Sequence, residues 1–512
     1  MLKKCKNCPQ ENKGNCIYSP RISKNTCLSA IFVLCYRGDE MAVKKGYKTM
    51  QATLRENKMG VMPIGKLLAN MAIPMILSML VQALYNVVDS IYISRFSESA
   101  VTALGLAFPV QNVQIGFAIG IGVGVNSLLS KSLGEGNQQR ADRAAGNGIF
   151  LALIATAIFI LFGLFGARPY YQMQDASAEI IESGIAYTRI CCIFTLGIYF
   201  EVLFERMLQA TGRTMHTMIT QGVGAITNII LDPIFIFGVE GLGIPAMGAA
   251  GAAIATVAGQ WVAAILALIF NLKLNPDVHL SVKNILPKAD AIGPILTVGV
   301  PTMIMNSVSS VMNFSMNQIL LGFPSVGEIA TGVFSIYYKL QSFFFMPLFG
   351  LNNATISIVA YNYGARNPQR ITKTLKLACG TALCFMILGF LAFTIIPGVL
   401  LSIFNLSPTF TELGKTALRI ISIHFPIAAI CIALSASFQA LGNGIYSTIT
   451  SLCRQMVALL PAAYLLSLSG DVNLVWWSFP IAEVVSLMAT LFFFVRIYRQ
   501  KIKPLYLTKT TV

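Results

Sequence analysis

The chain has 512 residues, of which 55% are hydrophobic and only 11% are charged, and its mean hydropathy is +0.69. This composition excludes an ordinary soluble domain, in which about a quarter of the residues are charged. The formal net charge of +16 does not indicate nucleic-acid binding, because the basic residues are spread over short loops and the two ends of the chain.

Apolar runs of helical length follow one another along most of the chain. A membrane-spanning helix needs about 20 apolar residues, and such runs are separated here by short polar loops. The twelve predicted spans are residues 65–93, 100–130, 142–166, 178–207, 214–238, 247–272, 290–321, 327–360, 371–398, 411–438, 445–468 and 472–498. The pattern predicts an all-α polytopic membrane protein with twelve transmembrane helices.

Basic residues are concentrated in alternate loops. Lys131, Arg140 and Arg143 follow the second span, whereas the preceding loop holds only Arg95. Positively charged loops remain on the cytoplasmic side of a membrane, so the pattern predicts a multi-pass protein of the cell membrane with both termini in the cytoplasm.

The two ends of the chain lie outside the predicted membrane region. Residues 1–58 are predicted to form a disordered cytoplasmic extension, and residues 500–512 a cytoplasmic tail. Within the extension, Cys5 and Cys8 have the spacing of a metal knuckle, but no second pair of ligands completes it. We therefore predict no metal site there.

An internal repeat divides the membrane region. Pro74 and Pro301 lie 227 residues apart in corresponding segments, and LGEGNQQRA at 133–141 resembles YGARNPQRI at 363–371. Six spans separate the copies, so the halves have the same orientation in the membrane. We predict an N-terminal lobe at 59–273, a connecting cytoplasmic loop at 274–289 and a C-terminal lobe at 290–499, with a cleft between them.

The first span carries an acidic residue inside an apolar segment. Asp89 lies one helical turn after Tyr85, so both side chains project from one face. A carboxylate in a membrane helix costs roughly 2.5–3.5 kcal/mol and marks an ion or substrate pathway. The alternative is that Asp89 lies at the membrane surface beside Arg95 and ends the span. Pro74 is a predicted kink or hinge in the same span.

The fifth span contains a second polar group. Asn228 and Asp232 are four residues apart on one helix face. Pro233 leaves a carbonyl without its usual donor and is a second predicted hinge. This oxygen-rich cluster suits a proton or a sodium ion. If the helix of Asp89 packs against it, two nearby carboxylates could exchange protons near neutral pH.

The second half lacks these acids. Met316 corresponds to Asp89, and Leu460 with Pro461 corresponds to Asp232 with Pro233, so coupling chemistry is predicted only in the N-terminal half.

Other polar residues of the C-terminal half have weaker assignments. Lys339 and Glu483 are predicted to form a buried pair with a structural role. The candidates for lining a substrate cleft are Met316, Asn313, Asn317 and Gln341. Methionine and aromatic residues suit adaptable binding of apolar or cationic compounds, but they are equally common packing residues.

The sequence gives no support for enzymatic chemistry. It contains no HExxH, GxSxG or GxxxxGK[ST] motif, so neither hydrolysis nor ATP use is indicated. We expect no cofactor, and we expect an ion gradient to supply the energy.

Several segments together resemble one transporter family. QALYNVVDSIYIS, SLGEGN, YGARNP, QATGR, QALGN and NIILDP are similar to the multidrug and toxic compound extrusion (MATE) family, most closely its bacterial MepA-like and DinF-like branch. The resemblance covers roughly residues 55–500. It implies two six-helix lobes and drug efflux driven by inward flow of protons or sodium.

The resemblance also implies a set of site residues. Tyr85, Asp89, Asn228 and Asp232 match the cation site of the N-terminal lobe, and Thr256 is the best match to a threonine of that site. The acid that the sodium-coupled NorM-like branch has in its seventh span is lacking here.

We therefore predict a monomeric antiporter in the lipid bilayer that exports small-molecule drugs and organic cations in exchange for H⁺ or Na⁺. A flippase for lipids or lipid-linked oligosaccharides is the alternative, and it would need a more cationic cleft than Lys339 and Arg454 supply. A membrane-embedded enzyme is a further alternative, for which we find no catalytic constellation.

Overall fold

A computed structural model describes residues 57–174, 177–239, 241, 243–324, 326–402, 404 and 407–509. Residues 1–56, with Cys5 and Cys8, therefore lie outside the described residues. The predicted extension, residues 1–58, overlaps the first helix by one residue, because that helix begins at Lys58. The Asn57 side chain caps that helix by accepting a hydrogen bond from the Met59 backbone N–H at 3.0 Å.

The N-terminal half consists of helices connected by short turns. They are α1 (Lys58–Val61), α2 (Ile64–Phe96), α3 (Glu98–Gly134), α4 (Gln138–Leu161), α5 (Ala167–Gln172), α6 (Ala178–Ile193), α7 (Leu196–Ala210), α8 (Thr214–Phe237) and α9 (Ala249–Leu274). A π-helical turn, Phe162–Gly166, joins α4 to α5 without interrupting the helical path.

The C-terminal half repeats this arrangement. Its helices are α10 (Val282–Ile285), α11 (Ala289–Leu321), α12 (Gly327–Gly364), α13 (Pro368–Ile395), α14 (Pro397–Ser402), α15 (Pro408–Ser422), α16 (Phe425–Ala440), α17 (Gly444–Leu452), α18 (Leu460–Ser467), α19 (Val472–Val475), α20 (Ser478–Ile497) and α21 (Lys503–Lys509). Two further π-helical turns, Cys453–Leu459 and Tyr498–Ile502, join α17 to α18 and α20 to α21.

The helices account for the predicted spans. Within the described residues, 10 helices are long and apolar enough to cross a membrane, and the pair α15 and α16, bent by 46°, raises this to 11. The predicted span 178–207 forms α6 and α7, which are separated at Phe194 and Thr195. These two helices have 16 and 15 residues, so each is shorter than the other predicted spans of the N-terminal half.

The first long helix lies between the two halves. The beginning of α2, with Met71 and Met75, packs into the hydrophobic core of the C-terminal half. Its end, with Ile93, packs into a core cluster of the N-terminal half. Helix α2 contacts both α8 and α12, so a residue near its end can reach the polar cluster of α8.

The halves also meet where α3 packs against α11 and α12. We call Gly120 and Gly124 of α3 and Gly299 of α11 the glycine seam. A Cβ atom at Gly120 would lie 2.7 Å from the Gly299 carbonyl oxygen, and one at Gly299 would lie 2.9 Å from the Gly120 carbonyl oxygen. The two backbones therefore approach more closely than any other residue would allow.

Helix α1 is held by the C-terminal half. The Arg370 guanidinium donates hydrogen bonds to the carbonyl oxygens of Met59 at 2.9 Å and Met62 at 2.8 Å. The Asn362 side-chain amide also donates to the Met59 carbonyl at 3.2 Å. These bonds satisfy carbonyls at the end of a short helix that could not satisfy them itself.

Candidate functional site

The polar cluster of α8 is buried and internally hydrogen-bonded. Asp232 has no exposed surface, and Asn228 is 3% exposed. The Asn228 side-chain amide donates to Asp232 Oδ1 at 3.2 Å and lies 3.5 Å from the Thr256 hydroxyl oxygen on α9. This arrangement follows from the four-residue spacing on α8 and from the close approach of α9, where Gly259 meets the Gly224 carbonyl. The structure thus brings together three of the predicted site residues.

Asp89 and Tyr85 join this cluster from α2. Asp89 is half-buried and interacts electrostatically with Asp232, and Tyr85 interacts with both carboxylates. Helix α2 continues beyond Asp89 to Phe96. All five residues predicted for cation coupling therefore lie in one region of the N-terminal half.

Three oxygen atoms of the cluster are buried without a hydrogen-bond partner. They are Asp89 Oδ1, Asn228 Oδ1 and Asp232 Oδ2. Unsatisfied buried oxygens are costly, so native structures retain them chiefly where they bind something. Two carboxylates and an amide oxygen are hard ligands that suit a proton or a sodium ion. We call Tyr85, Asp89, Asn228, Asp232 and Thr256 the N-half cation cluster.

A second pair of acids lies beside this cluster, and the sequence analysis missed it. Glu205 of α7 is 3% exposed, and its Oε1 accepts a hydrogen bond from the Thr220 hydroxyl at 2.7 Å. Glu201, one turn earlier, interacts electrostatically with Glu205 and with Tyr85. The sequence contains a signal for this pair, namely two acids four residues apart inside the predicted span 178–207. Charged residues in membrane helices usually have a function.

The predicted hinge prolines lie inside continuous helices. Pro74 interrupts the hydrogen bonding of α2, and the Ser78 hydroxyl donates to the Pro74 carbonyl oxygen at 3.0 Å. Pro233 lies one residue after Asp232, and α8 continues to Phe237. Each proline removes one backbone hydrogen bond from its helix close to polar residues. The role of the two prolines as hinges stays a prediction.

A cavity of about 390 Å³, lined by apolar and polar side chains, lies within the C-terminal half. Among the predicted cleft residues, Gln341 lines it, together with Met312 of α11. Met316 is fully buried in the hydrophobic core instead. Asn313 donates a hydrogen bond to the Ser309 carbonyl at 3.0 Å, and neither Asn313 nor Asn317 lines the cavity.

The predicted pairing of Lys339 with Glu483 is wrong. Glu483 pairs with Arg454 across 3.7 Å, whereas Lys339 is exposed. The reason is the helical period: Tyr338 and Gln341 of α12 line the cavity, and Lys339 lies on another face of the same helix. In the part of the chain that the structure describes, no three His, Cys, Asp or Glu side chains form a metal-binding group.

A comparison with protein families reproduces the repeat. The sequence model of the MatE family matches the chain twice, at residues 74–234 and 301–465. The matches together cover more than half of the chain, and they begin at Pro74 and Pro301, the two prolines that mark the internal repeat. The chain belongs to the MatE family. It is therefore a multi-pass membrane protein of a transporter family, as the twelve predicted spans indicate.

Relatives of this MatE protein include named exporters. It is 26% identical over 433 residues to "Probable multidrug resistance protein NorM" of Thermotoga maritima, covering 84% of this chain and 92% of that protein. It is 24% identical to the "FAD transporter" of Shewanella oneidensis, covering 83% and 92%. It is 22% identical to "Multidrug export protein MepA" of Staphylococcus aureus, covering 84% and 93%.

Solved structures of MATE transporters share the fold. One is described as the outward-facing conformation of a multidrug resistance MATE family transporter, with 25% identity, a TM-score of 0.80, and coverage of 89% of this chain and 98% of that one. Another, a MATE in complex with MaL6, has 25% identity, a TM-score of 0.81, and coverage of 88% and 99%. These similarities confirm the predicted all-helical, two-lobed membrane fold.

Proposed function

We propose that this protein is a secondary active transporter that exports lipophilic and cationic small molecules in exchange for protons or sodium ions. It acts in the cell membrane as a monomer, with both termini in the cytoplasm, and it uses no cofactor. The observation that carries the proposal is the N-half cation cluster, which combines two interacting carboxylates with three unpartnered buried oxygen atoms.

Coupling follows from the charge of this cluster. Two carboxylates in a low-dielectric region are stable only when a cation or proton neutralises part of their charge. An organic cation and an inorganic cation therefore compete for the same negative charge. Uptake of H⁺ or Na⁺ releases the organic cation, and alternating access of the two lobes makes the exchange directional.

The flippase alternative has less support. A lipid-linked oligosaccharide carries phosphate groups, whose recognition needs unpaired cationic side chains. Lys339 is exposed, and Arg454 is paired with Glu483. Arg206 of α7 is a further buried arginine, and it donates a hydrogen bond to Gln209 at 3.0 Å. The acidic N-half cluster would also repel phosphate.

The proposal is tested by dye transport in proteoliposomes. Purified protein is reconstituted, rhodamine 123 is the cationic substrate, and proton and sodium gradients are imposed separately. We expect transport to follow at least one gradient and to fall to the protein-free rate in Asp89→Asn. Asp290→Asn is the matched control, because Asp290 is an exposed acid that pairs only with Arg143 at the surface.

The two gradients identify the coupling ion. Transport that follows the pH gradient alone assigns H⁺, and transport that follows the sodium gradient alone assigns Na⁺. Rhodamine 123 movement that ignores both gradients and survives Asp89→Asn contradicts the proposal.

A further inference from the structure

The cavity of the C-terminal half has the size of a ligand site. Its volume of about 390 Å³ lies in the range of roughly 300–1,000 Å³ that is typical of small-molecule pockets. Its walls come from α11, α12, α16, α17 and α20 and from the π-helical turn Cys453–Leu459. Single π-helical turns inside α-helices often mark functional positions, and this one carries Arg454 and Gln455 into the cavity wall.

The ion pair in the cavity is incomplete. Arg454 Nη1 and Glu483 Oε2 are 3.7 Å apart, which is too far for a hydrogen bond. Glu483 Oε1 is buried without a partner, although only 4% of the Glu483 side chain is exposed. The Arg454 side chain is 29% exposed, and a guanidinium has five N–H donors. Each partner can therefore accept a second interaction from a ligand.

The charges of the cavity balance each other. Among the described residues, Arg454 and Glu483 are the acidic and basic side chains in its lining, apart from a buried histidine. An organic cation that approaches Glu483 is repelled by Arg454, and an organic anion that approaches Arg454 is repelled by Glu483. A ligand carrying both charges meets an attractive partner for each of them, with no net charge to bury.

The rest of the wall favours a flat aromatic ligand. Tyr337 packs against Phe479 with ring centroids 5.7 Å apart, and Tyr338 adds a third ring at 5.5 Å from Tyr337. In the same lining, the Tyr337 hydroxyl and the side-chain oxygens of Gln341 and Gln455 are buried without partners. Aromatic faces with a few unsatisfied polar atoms are the usual composition of a site for a polar aromatic compound.

We propose that the C-half cavity binds compact aromatic zwitterions, whose anionic group pairs with Arg454 and whose cationic group pairs with Glu483. The protein then has two sites of different charge preference: the acidic N-half cluster for cations and this cavity for zwitterions. Binding to the cavity is independent of the proposed function, whereas export of the bound compound rests on it.

A matched pair of dyes tests the proposal. Rhodamine 110 carries a carboxylate and a cationic ring system, and rhodamine 123 is its methyl ester, which keeps the ring system and the positive charge alone. Binding of each dye to purified full-length protein in nanodiscs is measured by fluorescence anisotropy. The test variant is Arg454→Gln with Glu483→Gln, which keeps the cavity neutral and leaves no buried charge unpaired.

We expect the double variant to weaken rhodamine 110 binding at least tenfold and to change rhodamine 123 binding less than twofold. Ser309→Leu narrows the cavity without changing its charge, so it should also weaken rhodamine 110 binding. This variant tests binding in the cavity if the double variant does not fold. Unchanged rhodamine 110 affinity in the folded variants, or an equal loss for both dyes, would overturn the proposal.

Transport separates this proposal from the preceding one. Asp89→Asn should abolish transport of both dyes while leaving rhodamine 110 binding intact. If wild-type protein binds rhodamine 110 in an Arg454-dependent manner but neither gradient drives any dye, the cavity site stands and the antiport proposal fails.

Discussion

The glycine seam predicts that one added methyl group changes how often the two halves separate. In Gly120→Ala, the new Cβ atom would lie 2.7 Å from the Gly299 carbonyl oxygen, whereas ordinary contacts begin at 3.4 Å. Helices α3 and α11 must therefore move apart by about 0.7 Å, the difference of these two distances. Overpacking of this kind costs about 1–3 kcal/mol.

Only the conformation in which α3 and α11 are in contact bears this cost. Alanine also has a higher helix propensity than glycine, by about 1 kcal/mol. This gain is the same in both conformations, so it does not change the equilibrium between them. A cost of about 1–3 kcal/mol shifts the equilibrium towards the separated conformation by roughly 5- to 150-fold. The shift is measured by double electron–electron resonance between spin labels at Gln139 of α4 and Lys373 of α13, both exposed.

Gly116→Ala is the matched control on the same helix. A Cβ atom at Gly116 would lie 3.6 Å from the Asn306 Cβ atom, an ordinary contact. We expect Gly116→Ala to keep the wild-type distance distribution and Gly120→Ala to populate longer distances. Identical distributions in the two variants would refute the argument that close backbone approach at the seam controls separation.

Three further predictions concern single contacts. Glu205→Gln removes a buried acid that interacts with Glu201, which in turn interacts with Tyr85 of the N-half cation cluster. Gradient-driven rhodamine 123 transport should therefore fall about fivefold, equivalent to about 1 kcal/mol of coupling. Thr256→Val removes the hydroxyl beside Asn228, worth about 1 kcal/mol, and should raise the ion concentration needed for half-maximal transport about fivefold. Arg370→Gln should speed amide hydrogen exchange in α1 about 30-fold, because about 2 kcal/mol of charge-assisted hydrogen bonding to Met59 and Met62 is lost.

Each of these variants has a matched control on an exposed position. Glu182→Gln changes a surface acid, Thr227→Val removes a hydroxyl one residue before Asn228, and Arg366→Gln removes a loop arginine. If Glu205→Gln transports normally, the α7 acids have a structural role. Normal ion dependence in Thr256→Val removes that residue from the cluster, and unchanged exchange in Arg370→Gln shows that α1 is held by packing alone.

The spans and the cation cluster could be predicted because their signals are local. Apolar length determines a membrane helix, and the four-residue spacing of Asn228 and Asp232 determines a shared face. The placement of Asp89 near Asp232 required only that α2 and α8 pack together. The internal repeat supplied the predicted division into halves, and the family model matches the chain twice, beginning at Pro74 and at Pro301.

The C-half cavity could not be predicted in the same way. Each of its helices presents several faces, and one residue of displacement rotates a side chain by about 100°. Lys339 and Met316 were therefore assigned to positions that Arg454 and Met312 occupy in the structure. The π-helical turn at Cys453–Leu459 adds a further rotation, for which the sequence contains no simple signal.

The attachment of α1 has a consequence for any movement between the halves. The short helix is bonded to α12 and α13 of the C-terminal half, yet α2, which follows it, carries part of the N-half cation cluster. Met62 and Pro63 are all that connects the two helices. The beginning of α2, with Met71 and Met75, also packs in the core of the C-terminal half, whereas its end, with Ile93, packs in the N-terminal half. A rotation of one lobe against the other must therefore either bend α2 between these two ends or pull α1 and the beginning of α2 away from the C-terminal half. Helix α2 is thus anchored at its beginning in the C-terminal half, although Asp89, near its end, belongs to the cation cluster of the N-terminal half.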